Sequence, residues 1–177
     1  GREIAYHTRA DERLTVWRVP YSGGTPTPVT ENLGGDYWAG YPSWSPDGRC
    51  IAFAGHERAG ESNTDLRMWC AGVAVRTVAL SPTWNESGSD WSPDGARIAV
   101  EGEPVDPPSR DRSYWGVRVL GVDGTDAGLV VDWSNTSERH PRWSPDGRYL
   151  ALVSYPGPIG LGSGSLWVLD LAAGSQA

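Results

Sequence analysis

The 177-residue chain has no lysine; all 15 of its basic side chains are arginine. It carries one phenylalanine, one methionine, three histidines and two cysteines. No run approaches the ~20 apolar residues that a membrane-crossing helix needs, and no stretch reads as a cleavable export signal. The net charge of −7 argues against a nucleic-acid partner or an anionic membrane surface. Catalytic signatures are missing as well. There is no Gly-x-Ser-x-Gly nucleophile elbow. His56-Glu57 lacks the second histidine of a zinc-binding helix, and no CxxC spacing occurs. The glycine-rich run from Gly160 to Gly164 is not followed by a helical pattern, so it does not read as a phosphate cradle. No catalytic residue, metal site or cofactor is expected.

Turn formers and indoles are abundant instead, with 23 glycines, 14 prolines and 10 tryptophans. That composition suits many short strands joined by tight turns and not long helices. The sequence Trp-Ser-Pro-Asp-Gly occurs three times, at Trp44 to Gly48, Trp91 to Gly95 and Trp143 to Gly147. Each copy runs into an apolar, strand-like segment, and Gly1 to Tyr6 reads as the tail of a fourth copy. A period of this length is the signature of a repeat architecture.

The motif describes a hairpin corner. Pro46, Pro93 and Pro145 preset φ at the first corner position. Asp47, Asp94 and Asp146 can bond the backbone just ahead, and Gly48, Gly95 and Gly147 accept the positive φ that closes the turn. Trp44, Trp91 and Trp143 sit where an indole can pack on a neighbouring unit, worth about 2–3 kcal/mol each when buried. Three identical aspartates at a fixed period point to architecture and not to catalysis or metal binding.

Reading outward from the corners gives four units, approximately 1–31, 37–80, 83–132 and 135–177. Each is expected to hold up to four short antiparallel strands and no helix. His7 to Glu12, Gly102 to Ser113 and Tyr155 to Gly164 are predicted as loops. Leu129 to Val131 is predicted as the last strand of the third unit. The first unit is expected to lack its innermost strand and the last its outermost. Four-stranded sheets at this spacing are propeller blades.

The pattern Trp-Ser-Pro-Asp-Gly-Arg-x-Ile-Ala-Phe, followed later by Leu-Trp-Val-x-Asp, resembles the TolB-like, or PD40 (WD40-like), β-propeller repeat over nearly the whole chain. The resemblance implies an all-β propeller and a bacterial periplasmic or extracellular setting. Family members have six to eight blades, whereas this chain supplies about three and a half. Three arrangements are open: a segment of a longer propeller, a ring closed by a homodimer, and a small four-bladed ring. Cys50 and Cys70 fall on consecutive strands of one unit, and both a disulfide and two buried thiols remain open.

In a propeller the Asp-Gly corners share one face, and the segments leading into the innermost strands share the other. The second face carries the variation, so binding is expected there. Its candidates are Asp36, Tyr37, Trp38 and Tyr41 in the second unit, Asn85 and Glu86 in the third, and Glu138, Arg139 and His140 in the fourth. Aromatics with carboxylates, an arginine and a histidine suit a protein or peptide partner. The leading expectation is a non-enzymatic interaction module. The alternatives are a propeller that gates substrate for a hydrolase or peptidase domain, and a structural subunit of a larger assembly.

Overall fold

The computed structural model describes residues 2–10, 13–30, 38–56, 64–79, 84–105, 114–129, 136–157, 163–172 and 175–176. Every regular element among them is a β-strand. The first sheet holds β1 (Glu3–Ala10), β2 (Arg13–Pro20) and β3 (Thr27–Pro28). The second holds β4 (Trp38–Trp44), β5 (Cys50–His56), β6 (Asp65–Cys70) and β7 (Val73–Ala79). The third is built from β8 (Trp84–Trp91), β9 (Arg97–Pro104), β10 (Gly116–Gly121) and β11 (Asp126–Leu129). The fourth contains β12 (Thr136–Trp143), β13 (Tyr149–Pro156), β14 (Ser165–Asp170) and β15 (Ser175–Gln176). Strands pair with their chain neighbours, antiparallel throughout, and no strand crosses between sheets.

The three Asp-Gly corners are chemically identical. In the first, Gly48 N–H donates to the Ser45 carbonyl at 2.9 Å, and Gly48 has φ 70°. The Ser45 hydroxyl donates to Asp47 Oδ1 at 2.6 Å and accepts from Cys50 N–H at 2.9 Å. Asp47 Oδ1 also accepts Arg49 N–H at 3.0 Å. Ser92 with Asp94, and Ser144 with Asp146, repeat every one of these bonds. The hydroxyl and N–H donors hold all three carboxyls below the usual aspartate range.

The sheets pack face to face in chain order, and each joint is an apolar cluster. Val16 and Ala5 of the first sheet meet Ile51 and Phe53 of the second. Leu66 and Met68 of the second meet Trp91, Ile98 and Leu120 of the third. Val117 and Val119 of the third meet Leu150, Leu152 and Leu169 of the fourth. The motif indoles serve these joints as expected: Trp91 is buried against the second sheet, and its Nε1–H donates to the Ser43 carbonyl across the joint at 3.2 Å. Cys50 and Cys70 stand directly opposite each other on β5 and β6, with Cα atoms 4.1 Å apart, and form a disulfide.

Several strand limits differ from those expected. β1 continues through His7 to Ala10, because β2 pairs with it in unbroken register to Arg13. β9 reaches Pro104 and β13 reaches Pro156, with each proline in the last position, where no further ladder bond is required of it. The last strand of the third unit begins earlier than the expected Leu129, at Asp126; Val130 and Val131 lie outside the described residues. The fourth sheet has an outermost strand after all: Ser175 and Gln176 pair with Asp170 and Leu169.

Candidate binding face

The innermost strands β4, β8 and β12 carry the described candidate residues, and each is broken within one position of the same place. The register shifts between Gly40 and Ser43, between Glu86 and Ser89, and between Arg139 and Arg142. Each break is a bulge whose extra residues lie two to four positions before the motif tryptophan. Bulges re-aim side chains out of the pleat. At two of them the third residue before the tryptophan is a non-glycine with positive φ: Tyr41 at 56° and His140 at 57°. That conformation is strained for a residue with a Cβ and persists only where the surroundings impose it.

The preceding sheet imposes it. The His7 imidazole on β1 accepts the Tyr41 N–H through Nδ1 at 3.2 Å. Glu101 on β9 accepts the His140 N–H through Oε2 at 2.5 Å. His7 and Glu101 occupy the same repeat position, six residues past the corner glycine, where the second and fourth units have Ala54 and Val153. The two apolar units have no such latch to offer the next bulge. A third link ties β8 to β12 directly, with Asp90 Oδ2 accepting Trp143 N–H at 2.8 Å. Burial pushes the Asp90 carboxyl up, against the pull of that N–H and of Arg142.

Around Tyr41 the rings form a shelf. Trp38 stacks on His56 with centroids 5.8 Å apart and planes 6° from parallel. Tyr41 lies 6.2 Å from Trp38 and meets His7 edge-on at 5.3 Å. Tyr41 is exposed. Around His140 the group is charged. Arg139 lies over the Trp115 ring at 4.2 Å and reaches Glu101 Oε1 at 3.5 Å. His140 Nδ1 stands 3.8 Å from Glu101 Oε2, and its side chain is 55% exposed. Glu103 lies nearby, its carboxyl pushed up by burial against the charge of Arg139.

The remaining candidates do other work. Glu86 and Glu138 are each only 2% exposed, so they face the interior and not a partner. The reason is that 85–90 and 136–140 are themselves strand, where they were expected only to lead into the innermost strands. Their backbones strap successive sheets together: Glu86 N–H donates to the Thr64 carbonyl at 2.9 Å, and Glu138 N–H to the Trp115 carbonyl at 2.8 Å. Asn85 Oδ1 completes the first strap by accepting Thr64 N–H, and Ser137 Oγ completes the second by accepting Trp115 N–H. Glu138 Oε1 accepts from Thr136 and Ser154 hydroxyls. Asp36 and Tyr37 lie outside the described residues. His7, Glu101 and Trp115 belong to this face and were not anticipated, whereas His56 was expected on its outer rim. A signal existed for two of them, since His7 and Glu101 are polar where the repeat is otherwise apolar. Among the described residues, no group of three or more His, Cys, Asp or Glu is placed to hold a metal ion.

Sheets stacked in chain order, with their corners on one face and latched bulges on the other, define an arc of a β-propeller. No protein-family model matches the chain. It is 29% identical over 147 residues to the uncharacterized protein Atu1656 of Agrobacterium fabrum (strain C58), a match covering 83% of this chain and 45% of that protein. It is also 29% identical over 163 residues to the uncharacterized peptidase YuxL of Bacillus subtilis (strain 168), covering 76% of this chain and 24% of that one. The chain therefore spans less than half the length of these curated relatives. Among solved structures, a protein assigned as TolB from Agrobacterium tumefaciens superposes with a TM-score of 0.77 at 20% identity, over all of this chain and 60% of that one. Puromycin hydrolase superposes with a TM-score of 0.68 at 17% identity, over 99% of this chain and 28% of that one. At such identities the likeness establishes the fold alone, that of a β-propeller arc.

Proposed function

We propose that the chain is a non-enzymatic binding module that takes a protein or peptide partner on the face bearing Trp38, Tyr41, Arg139 and His140. One observation carries the reading. Tyr41 and His140 are held exposed in a strained backbone conformation by side chains of the preceding sheet, and strain of that kind collects at ligand-contacting sites. A shelf of rings beside an arginine–glutamate–histidine group offers apolar anchors and directional polar contacts, the mixture found at interface hot spots. The likeness to a TolB-assigned structure supports a setting in the bacterial cell envelope or outside the cell. The test replaces Trp38 by Ala, Arg139 by Ala and His140 by Gly together and compares partner capture from a native extract. Loss of specific partners is expected, and an unchanged profile refutes the reading.

A second reading is favoured by the matches to YuxL and puromycin hydrolase. In it the arc is part of a propeller that positions or admits substrate for a hydrolase domain elsewhere in the same polypeptide. The two readings part on one observation, the presence or absence of a Gly-x-Ser-x-Gly nucleophile elbow in the full reading frame.

A further inference from the structure

Each joint between sheets is built from the same repeat positions. The side turned toward the following sheet presents Leu66 and Met68 in the second sheet and Val117 and Val119 in the third, all at most 4% exposed. The registers Ala52↔Met68, Ala99↔Val119 and Ala151↔Val168 identify the equivalents in the fourth sheet as Leu166 and Val168. Those two are 74% and 40% exposed. The side turned toward the preceding sheet presents Ile51, Ile98 and Leu150, each fully buried. Their equivalent in the first sheet is Ile4, 52% exposed. One chain thus displays, at its two outermost sheets, both halves of a joint that it makes three times internally.

We propose that the fourth sheet of one chain docks on the first sheet of a second copy, reproducing the internal joint between molecules. What covers the Leu166–Val168 face inside the chain, at the equivalent positions, is always a sheet bearing Ile or Leu at the Ile4 position. This chain carries such a sheet uncovered. The contact is head to tail, joining unlike faces, so it either closes into a ring or continues as an array.

The test uses the full chain and reads its mass in solution by light scattering and sedimentation across a wide concentration range. The unsubstituted chain is expected to rise from one chain mass to two or more. Stopping at two marks ring closure and continued growth marks an array; either supports the proposal. The doubly substituted Leu166→Glu, Val168→Glu chain and the Ile4→Glu chain are each expected to stay at one chain mass. Mixed together they are expected to form a pair and stop there, because each retains the face the other has lost. An unsubstituted chain that stays single at every concentration overturns the proposal and leaves these faces to other blades. An Ile4→Glu chain that still pairs with itself overturns it too, since that requires like faces to meet. All altered side chains are exposed in the single chain, so circular dichroism should be unchanged; Leu166→Lys and Ile4→Lys serve if a glutamate variant fails to fold.

Discussion

Replacing Glu101 by Val separates the latch from the rest of the fold. Valine is what the fourth unit already carries at this position, as Val153, so the strand itself accepts it. The carboxylate is 4% exposed, accepts the His140 N–H at 2.5 Å and approaches the Arg139 guanidinium at 3.5 Å. A hydrogen bond to a charged partner contributes about 1.5–3 kcal/mol, and its loss leaves the N–H without an acceptor. The Arg139 pairing adds little, because that side chain keeps access to water. Removing a buried carboxylate returns part of its desolvation cost. The net expectation is a loss of about 2 kcal/mol, or roughly 4–8 °C in Tm for a chain of this size. Glu101→Gln keeps an acceptor in place and should lose less than half as much. Urea and thermal denaturation followed by tryptophan fluorescence measure both, and the fluorescence also reports Arg139 leaving the Trp115 ring. Equal losses for Val and Gln would show that charge, not the latch, is what matters. A neutral Val variant would refute the claim that Glu101 holds His140 in its strained conformation.

Tyr41→Gly should exceed Tyr41→Ala in stability by about 1 kcal/mol, because glycine accepts the positive φ that alanine does not, while both lose partner binding equally; paired melts and binding assays read the two effects separately. The corner aspartates have lowered pKa values, so their stabilisation is complete above the ordinary value of 3.8 and disappears as the pH falls through the lower folded values. Replacing Ser45, Ser92 and Ser144 by Ala should therefore flatten the acid limb of a stability–pH profile. Asp90 behaves oppositely: its pKa is raised, so its charge destabilises the fold above that value and the penalty vanishes below 3.8. Asp90→Asn should stabilise the chain at neutral pH and be indistinguishable from the parent in strong acid. Reducing the Cys50–Cys70 disulfide, which closes a separation of 20 residues, should cost about 3 kcal/mol, measured as the shift in denaturation midpoint with and without reductant.

The blade plan is legible in the sequence because it is written locally. A corner glycine with φ near 70° and a carboxylate two residues ahead of the N–H it binds involve neighbours only, and the motif residues announce them. Even there the serine went unread. Its hydroxyl links Asp47 to the returning strand, yet nothing about a serine in a turn singles it out. The candidate site is less legible because it is made between units. Tyr41 and His140 are poor choices for a positive φ, and the groups that hold them lie 34 and 39 residues earlier in the chain. Glu86 and Glu138 read as exposed acids ahead of the inner strands, but those strands extend further than expected and take them inside. His7 and Glu101 are polar exceptions at a repeat position that is otherwise Ala54 and Val153, but the contacts they make are not written in that position.

Each Ser-Pro-Asp-Gly corner is closed entirely by bonds among residues no more than five apart. Such a hairpin needs no distant partner to take shape, so it can form while later parts of the polypeptide are still being synthesised. The long-range latches then act only on sheets that already exist, aligning finished blades one against the next.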